Sequence, residues 1–235
     1  LPVTGGEGRV EVVSNGSLIV NSDLVLFDQG SILVDSSGLV SVGAVGGVNG
    51  AINVNAGGRL IGTGQIDGHL IVNDFGVLTP GVNGIGQLQI DGDLTFAATA
   101  NAAVYGWDLA NAGLATDVLG ASSSTAVHDQ LIINGGSVMM NNVSIVLSEL
   151  DSFAASFDAS QSYSWKLMEI SGAGNFTTVG PFSIVFNGSS EIQSAINANF
   201  GTLSLAVGNN GGSDPFLALT YSAVPEPNAL ILVAV

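Results

Sequence analysis

The sequence predicts an all-β chain, a right-handed parallel β-helix closed by a more aromatic, β-rich C-terminal cap. Three observations predict it. Short runs of alternating apolar residues fill the chain, glycine with asparagine or aspartate stands at the ends of those runs, and the pattern returns about every twenty residues over the first hundred.

Each element follows from that pattern. The segments Gly16 to Asn21, Gly30 to Asp35, Gly50 to Asn55, Gly68 to Asn73 and Gly86 to Asp91 run from a glycine through alternating apolar residues to a closing Asn or Asp. The closing residues lie 14, 20, 18 and 18 residues apart, with second short strands between them at Gly38 to Val42 and Gly58 to Gly62. A period that spans two short strands marks a repeat in which each round of chain stacks on the last, about 4.8 Å away. Inward Val, Ile and Leu then form rows. Leu18, Leu33, Val54, Ile71 and Leu88 are expected in or near one buried stack, within about five coils over residues 10 to 96. Gly, Asn and Asp suit the corners, which need a positive φ or side-chain bonding to the backbone. An antiparallel meander would use the same strands but expects two-residue hairpins. A leucine-rich repeat expects a helical return segment, which this glycine-rich chain lacks.

Around residue 100 the texture changes. Ala98 to Ala103 is small and flat, Tyr105, Trp107 and Leu109 alternate on one face of a strand, and Asn111 to Val127 loses periodicity, reading as a loop with a short helix conceivable near Leu114 to Leu119. Strand signals resume at His128 to Asn134, Ser137 to Met140, Val143 to Leu147, Tyr163 to Ile170, Phe182 to Phe186, Thr202 to Val207 and Phe216 to Tyr221. This half is more aromatic. A stack of coils leaves an open edge at its end, and Trp165, Phe182, Phe186 and Phe216 are the residues expected to cover it. Three regions result: residues 1–100 as coil repeats, 101–222 as their continuation or cap, and 223–235 as a tail.

Composition limits the function. Apolar residues make up 46% of the 235 residues, ample for a core, while charged residues make up 9% and cysteine is absent. Disulfides, thiolate metal sites and thiol nucleophiles are therefore excluded. The cations are Arg9, Arg59 and Lys166 against 19 carboxylates, for a net charge of −16. That balance argues against nucleic acid, whose phosphates need clustered Lys and Arg, and against docking to anionic lipid. Arg59 and Lys166 read as solvent-facing charges or local pairs.

Catalytic candidates are few, and each has a structural explanation. Asp91 and Asp93, at i and i+2, would share a strand face about 7 Å apart, within reach of a glycosidase pair, but Asp91-Gly92-Asp93 sits at a repeat corner and turn chemistry accounts for it. His69 reads as an outward strand residue. His128 and Asp129 are the one His-Asp neighbour pair, and strand neighbours point to opposite faces, which disfavours a relay. Gly81 to Gly86 has the glycine spacing of a phosphate loop but lacks Lys and a following helix. Stacked Asp and Asn at corners could draw a hard cation such as calcium, yet the Gly-Asp nonapeptide of calcium-binding β-rolls is missing. No catalytic residue, metal ligand or cofactor is assigned.

The tail carries the most specific signal. Pro225-Glu226-Pro227 stops any ladder or helix, and Ala229 to Val235 follows as an unbroken apolar run too short to cross a bilayer, which takes about 20 residues. The tripeptide with its apolar flank resembles the PEP-CTERM sorting signal of Gram-negative bacteria. That resemblance implies recognition by an exosortase, a signal peptide upstream of Leu1, and further apolar residues and a basic cluster beyond Val235. Over about residues 50 to 222, the order Gly62-Thr63-Gly64, Gly68-His69-Leu70, Leu78-Thr79-Pro80-Gly81, Gly86 to Leu94, Tyr105 to Leu109 and Asp129-Gln130-Leu131 is similar to the autotransporter-associated β-helical repeats of bacterial surface proteins. Such regions often precede a PEP-CTERM tail, and no functional residue carries over with them. The two resemblances imply a non-enzymatic protein exported to the cell surface or extracellular matrix. Its tail would be processed by exosortase after a transient stay in the membrane, and exopolysaccharide or matrix would be its partner in adhesion or biofilm. The alternative is a carbohydrate-active β-helix enzyme, a polysaccharide lyase or glycoside hydrolase. Carboxylates along one strand row lined by aromatics would favour the enzyme, and smooth sides with small polar residues the surface protein.

Overall fold

The structure, a computed structural model, describes residues 7–43, 50–111, 128–150, 153–209 and 214–224. The all-β class is observed. Strands follow one another in rounds of three: β1 (Arg9–Val12), β2 (Ser17–Val20) and β3 (Leu24–Leu26); β4 (Ser31–Val34), β5 (Leu39–Val42) and β6 (Ala51–Val54); β7 (Arg59–Gly62), β8 (Gln65–Asp67) and β9 (His69–Val72); β10 (Val77–Pro80), β11 (Gln87–Asp91) and β12 (Leu94–Ala97). Two longer rounds come next: β13 (Ala103–Leu109), β14 (Gln130–Asn134) and β15 (Val138–Asn141); β16 (Val143–Glu149), β17 (Tyr163–Ser171) and β18 (Phe176–Val179). The chain then adds β19 (Phe182–Phe186), a helix α1 (Glu191–Asn197), β20 (Gly201–Asn209) and β21 (Pro215–Ala223).

Each strand up to β19 pairs in parallel with the strand three places before or after it. Sheet A has the order β1-β4-β7-β10-β13-β16-β19, sheet B β2-β5-β8-β11-β14-β17-β21-β20, and sheet C β18-β15-β12-β9-β6-β3. Side chains alternate faces along a strand, so the in-register pairing builds columns. Ile32, Leu60, Leu78, Tyr105 and Ile145 align in sheet A, Val40, Ile66, Ile90, Ile133 and Ile170 in sheet B, and Ile52, Leu70, Leu94 and Val138 in sheet C. All of these are buried in one apolar cluster that runs from Val12 to Tyr221.

The sequence repeat is corrected in two respects. Residues 10 to 96 hold four rounds, β1 to β12, rather than five. The five aligned segments are also not equivalent, because Ser17–Val20 and Gln87–Asp91 lie in sheet B, Ser31–Val34 in sheet A, and Ala51–Val54 and His69–Val72 in sheet C. Val54 and Leu88 are fully buried and Leu18 packs against the core, but Leu33 and Ile71 face outward while Ile32, Val34, Leu70 and Val72 fill the interior. A three-residue apolar run leaves the inward face ambiguous, and only register resolves it.

Glycine at the corners has a further cause beyond conformation. Gly68, Gly92, Gly136 and Gly174 stack in successive rounds, and a Cβ on Gly92, Gly136 or Gly174 would overlap the carbonyl oxygen of the glycine one round below. Backbones meet there without room for a side chain. Asparagines add a ladder at another corner, where Asn73 donates through Nδ2 to Asn55 Oδ1 at 2.8 Å.

Sheet B ends differently from the rest. β17 pairs antiparallel with β21, and β21 antiparallel with β20. Segment 153–161 folds against this hairpin. Phe153 and Phe157 stack at 5.3 Å, Tyr163 lies flat on Trp165 at 5.6 Å, and Phe157 meets Tyr221 edge-on at 5.2 Å. Of the four aromatics expected to cover the end, Trp165 and Phe216 are buried, Phe186 is half-buried, and Phe182 stays 41% exposed because β19 is the terminal strand of sheet A. Helix α1 was not anticipated. Ser190 caps it by accepting from the Gln193 amide at 3.0 Å, and Glu149 accepts from the amides of Glu191 at 2.7 Å and Ile192 at 3.2 Å. Among the described residues no helix is long and apolar enough to cross a membrane. The short helix considered at Leu114 to Leu119 falls outside the described residues.

Candidate functional site

The sorting tripeptide Pro225, Glu226 and Pro227 also lies outside the described residues. The last strand, β21, ends at Ala223, two residues before Pro225 in the sequence. The remaining candidates lie in the strands, corners and loops of the described residues.

Asp91 and Asp93 do not form a pair over a common substrate position. The Asp91 carboxylate lies on the outer face of sheet B and accepts from Gln65 Nε2, from Gln89 Nε2 at 2.7 Å and from Asn134 Nδ2 at 3.1 Å. Asp93, at the corner, accepts from the Ser137 amide at 2.8 Å, while its own amide donates to His69 Nδ1 at 3.0 Å. The same His69 Nδ1 lies 3.3 Å from the Asp93 carboxylate. Asp67 stands beside Asp91 in register and takes the Ser41 hydroxyl at 2.9 Å. An acidic row therefore exists, but the outward residues of β5, β8, β11 and β14 include no aromatic side chain, and amides and hydroxyls hold the carboxylates. Among the described residues no group of three or more His, Asp or Glu is placed to hold a metal ion.

His128 and Asp129 are both buried. The imidazole lies against Trp107 at 5.5 Å and its Nδ1 meets the main-chain oxygen of Asp129 at 2.8 Å, not the carboxylate. The Asp129 carboxyl instead accepts the Gly86 amide at 2.7 Å and the Asp108 amide at 2.9 Å, and its main-chain oxygen accepts the Trp107 indole N–H at 2.7 Å. Burial outweighs these amide bonds and pushes the carboxyl up to about 8. Gly81, at φ +87°, closes against the same group, since a Cβ there would stand 2.7 Å from Asp129 Oδ1. The stretch Gly81 to Gly86 is thus a loop braced from behind by a buried acid.

That loop walls a cleft on the outer face of sheet A. The cleft, about 460 Å³, has Leu33, Ile61 and Thr79 on its floor, with Val82 and Asn83 on one side and Asp108 beside them. Asp108 is half-buried, and burial raises its pKa against the lowering effect of a Ser148 hydrogen bond. Arg9 and Arg59 lie at the other side, both in register with Ser31 and hence on one row two strands apart. Arg9 Nε pairs with Glu11 at 2.8 Å in solvent, and Arg59 makes no ion pair among the described residues. Lys166 follows the second of the two expectations, a local pair, and not a solvent-facing charge. It is buried at the closed end, 3.2 Å from Glu169 and over the ring of Phe216.

Sequence reasoning missed this cleft. The cations looked scattered, and only the register of β1, β4 and β7 brings Arg9 and Arg59 together. No protein-family model matches the chain, and no curated protein matches it.

Proposed function

We propose that the chain is a non-enzymatic protein exported to the cell surface or extracellular matrix of a Gram-negative bacterium and processed by an exosortase at a PEP-CTERM tail. The observation that carries this reading is Pro225-Glu226-Pro227 with its apolar flank, set directly after a β-domain whose final strand is locked in an antiparallel hairpin. The parallel i to i+3 strand order supports the finer fold reading, a right-handed parallel β-helix related to autotransporter-associated repeats. In this reading the helix is a stalk. Its polar outer rows of Gln, Asn, Asp and Ser supply the solubility that three cations and 19 carboxylates alone would give unevenly. Exopolysaccharide or matrix is its partner outside the cell, and adhesion or biofilm its setting.

The test is sorting in a bacterium that carries an exosortase. The complete gene, tagged within the described domain, is expected to yield a shortened product in the surface or extracellular fraction. Replacing Pro225, Glu226 and Pro227 together with alanine, or deleting the exosortase, is expected to hold the full-length product in the membrane fraction. Unchanged size and location in both backgrounds would overturn the proposal.

A further inference from the structure

We propose that the cleft on the outer face of sheet A binds a carboxylate-bearing saccharide chain, with Arg9 and Arg59 engaging two separate carboxylates. Of three cations in a chain of net charge −16, one is buried at the closed end and the other two share one row of one face. Two strand spacings put their backbones about 10 Å apart. That is too wide for two guanidinium groups to grip a single small anion, and it suits acidic groups carried by alternate sugars of an extended chain. A nucleic-acid strand would bring a phosphate about every 3.4 Å and finds only two cations here.

The lining fits the rest of such a ligand. Leu33 and Ile61 offer an aliphatic floor to a sugar ring, while Ser31, Thr79, Asn83 and Asp108 offer hydroxyl, amide and carboxyl partners to its hydroxyls. The volume of about 460 Å³ lies within the usual range of ligand sites, about 300–1,000 Å³. Arg59 has no carboxylate to release among the described residues, and the solvent-exposed Arg9–Glu11 pair exchanges at little cost. The wall is already in place, because Asp129 holds the Gly86 and Asp108 amides from behind and less ordering is left for binding. The proposal rests on the surface reading only for where the saccharide is met. Its test uses purified protein, so failure here leaves the sorting proposal standing, and a sorting failure leaves the cleft untouched.

Titration calorimetry with hexagalacturonate, monomeric galacturonate and a neutral glucose hexaose decides it. Hexagalacturonate is expected to bind with an affinity that falls as salt rises, and both comparison sugars at least about tenfold more weakly. Arg59→Gln and Arg9→Gln are each expected to lower affinity for the hexamer by about tenfold, the scale of one charge-assisted bond. Glu11→Gln is expected to raise affinity by freeing Arg9, a gain that a misfolded variant does not produce. Equal binding of the neutral hexaose, equal binding of the monomer, wild-type affinity in both arginine variants, or no binding of the hexamer would each overturn the proposal.

Discussion

The two ends of the described domain are built from the same strands and end differently. At the first round, no strand among the described residues lies beneath the inward residues. Val10 is 45% exposed, Leu18, Val20 and Leu24 are half-buried, and an apolar hollow of about 540 Å³ opens among β1, β2 and β3. At the far end, Trp165, Leu219 and Tyr221 are buried where β21 pairs antiparallel with β17 and where aromatic rings pack together. Burial in a stacked fold is given by the next layer, so a terminal layer has a complete core only if some other element replaces that neighbour. The antiparallel hairpin does so in sheet B and also ends the parallel progression.

The contrast breaks most directly on paired truncations. Trp165→Ala is expected to cost about 3–5 kcal/mol, as for a large buried aromatic. Leu18→Ala is expected to cost about 1 kcal/mol, because much of that side chain already meets water. Urea unfolding measures both. A Leu18→Ala loss as large as the Trp165→Ala loss would mean the first round is sealed in solution. Trp165→Phe is expected to be far milder than Trp165→Ala, because the indole N–H is buried with no hydrogen-bond partner among the described residues and its removal relieves that cost.

A smaller effect separates the ends through the glycine corners. Gly136→Ala would drive a Cβ into the Gly92 carbonyl between two fixed rounds, and Gly38→Ala would drive one into the Val12 carbonyl of the open first round. The first is expected to cost about 1–3 kcal/mol and the second less, since β1 has no strand below it among the described residues and can shift. Thermal unfolding of the two variants checks the order, and equal losses would show that the first round is as fixed as the fourth.

Much of this was legible in the sequence, and the gaps have physical causes. Alternation in Tyr105-Gly106-Trp107-Asp108-Leu109 named its inward residues correctly, and glycine marked the corners. The faces of Ser31-Ile32-Leu33-Val34 and His69-Leu70-Ile71-Val72 stayed ambiguous because three consecutive apolar residues fit either register. The rounds are also unequal. Register partners run from Arg9 to Ser31, Ser31 to Arg59 and Arg59 to Val77, steps of 22, 28 and 18 residues, so a single period could not align equivalent strands. Helix α1 did carry a readable signal, Ser190 with Gln193 three residues on, the spacing of a capping box. Burial of Asp129 had none. A carboxylate beside a strand reads as a corner residue until the loop that covers it, 43 residues earlier in sequence, is placed.

Asp129 gives the smallest effect and the one that sharpens the comparison along the stack. Its carboxyl sits at about 8 in the folded chain, against an ordinary value of 3.8, so between those values the folded state keeps a proton that the unfolded state gives up. Stability from this group is therefore full below about pH 4, falls as pH rises toward 8, and changes no further above it. One proton sets the slope, at most about 1.4 kcal/mol per pH unit, so a loss of about 1 kcal/mol is expected between pH 6 and pH 7. Asp129→Asn cannot ionise and is expected to remove this slope. It also lowers stability at pH 5, because an amide nitrogen cannot accept a backbone N–H that the carboxyl accepts now. Trp107 joins this group to Trp165, with ring centres 6.4 Å apart, whereas β1 to β3 lie rounds away. Protection factors from hydrogen exchange, corrected for the intrinsic rise of exchange with pH, are thus expected to fall first in residues 81 to 86 and in β13 as pH rises, with those of the first two rounds unchanged. A uniform fall in protection over all rounds, or a slope that survives in Asp129→Asn, would show that the acid does not act locally on the closed half.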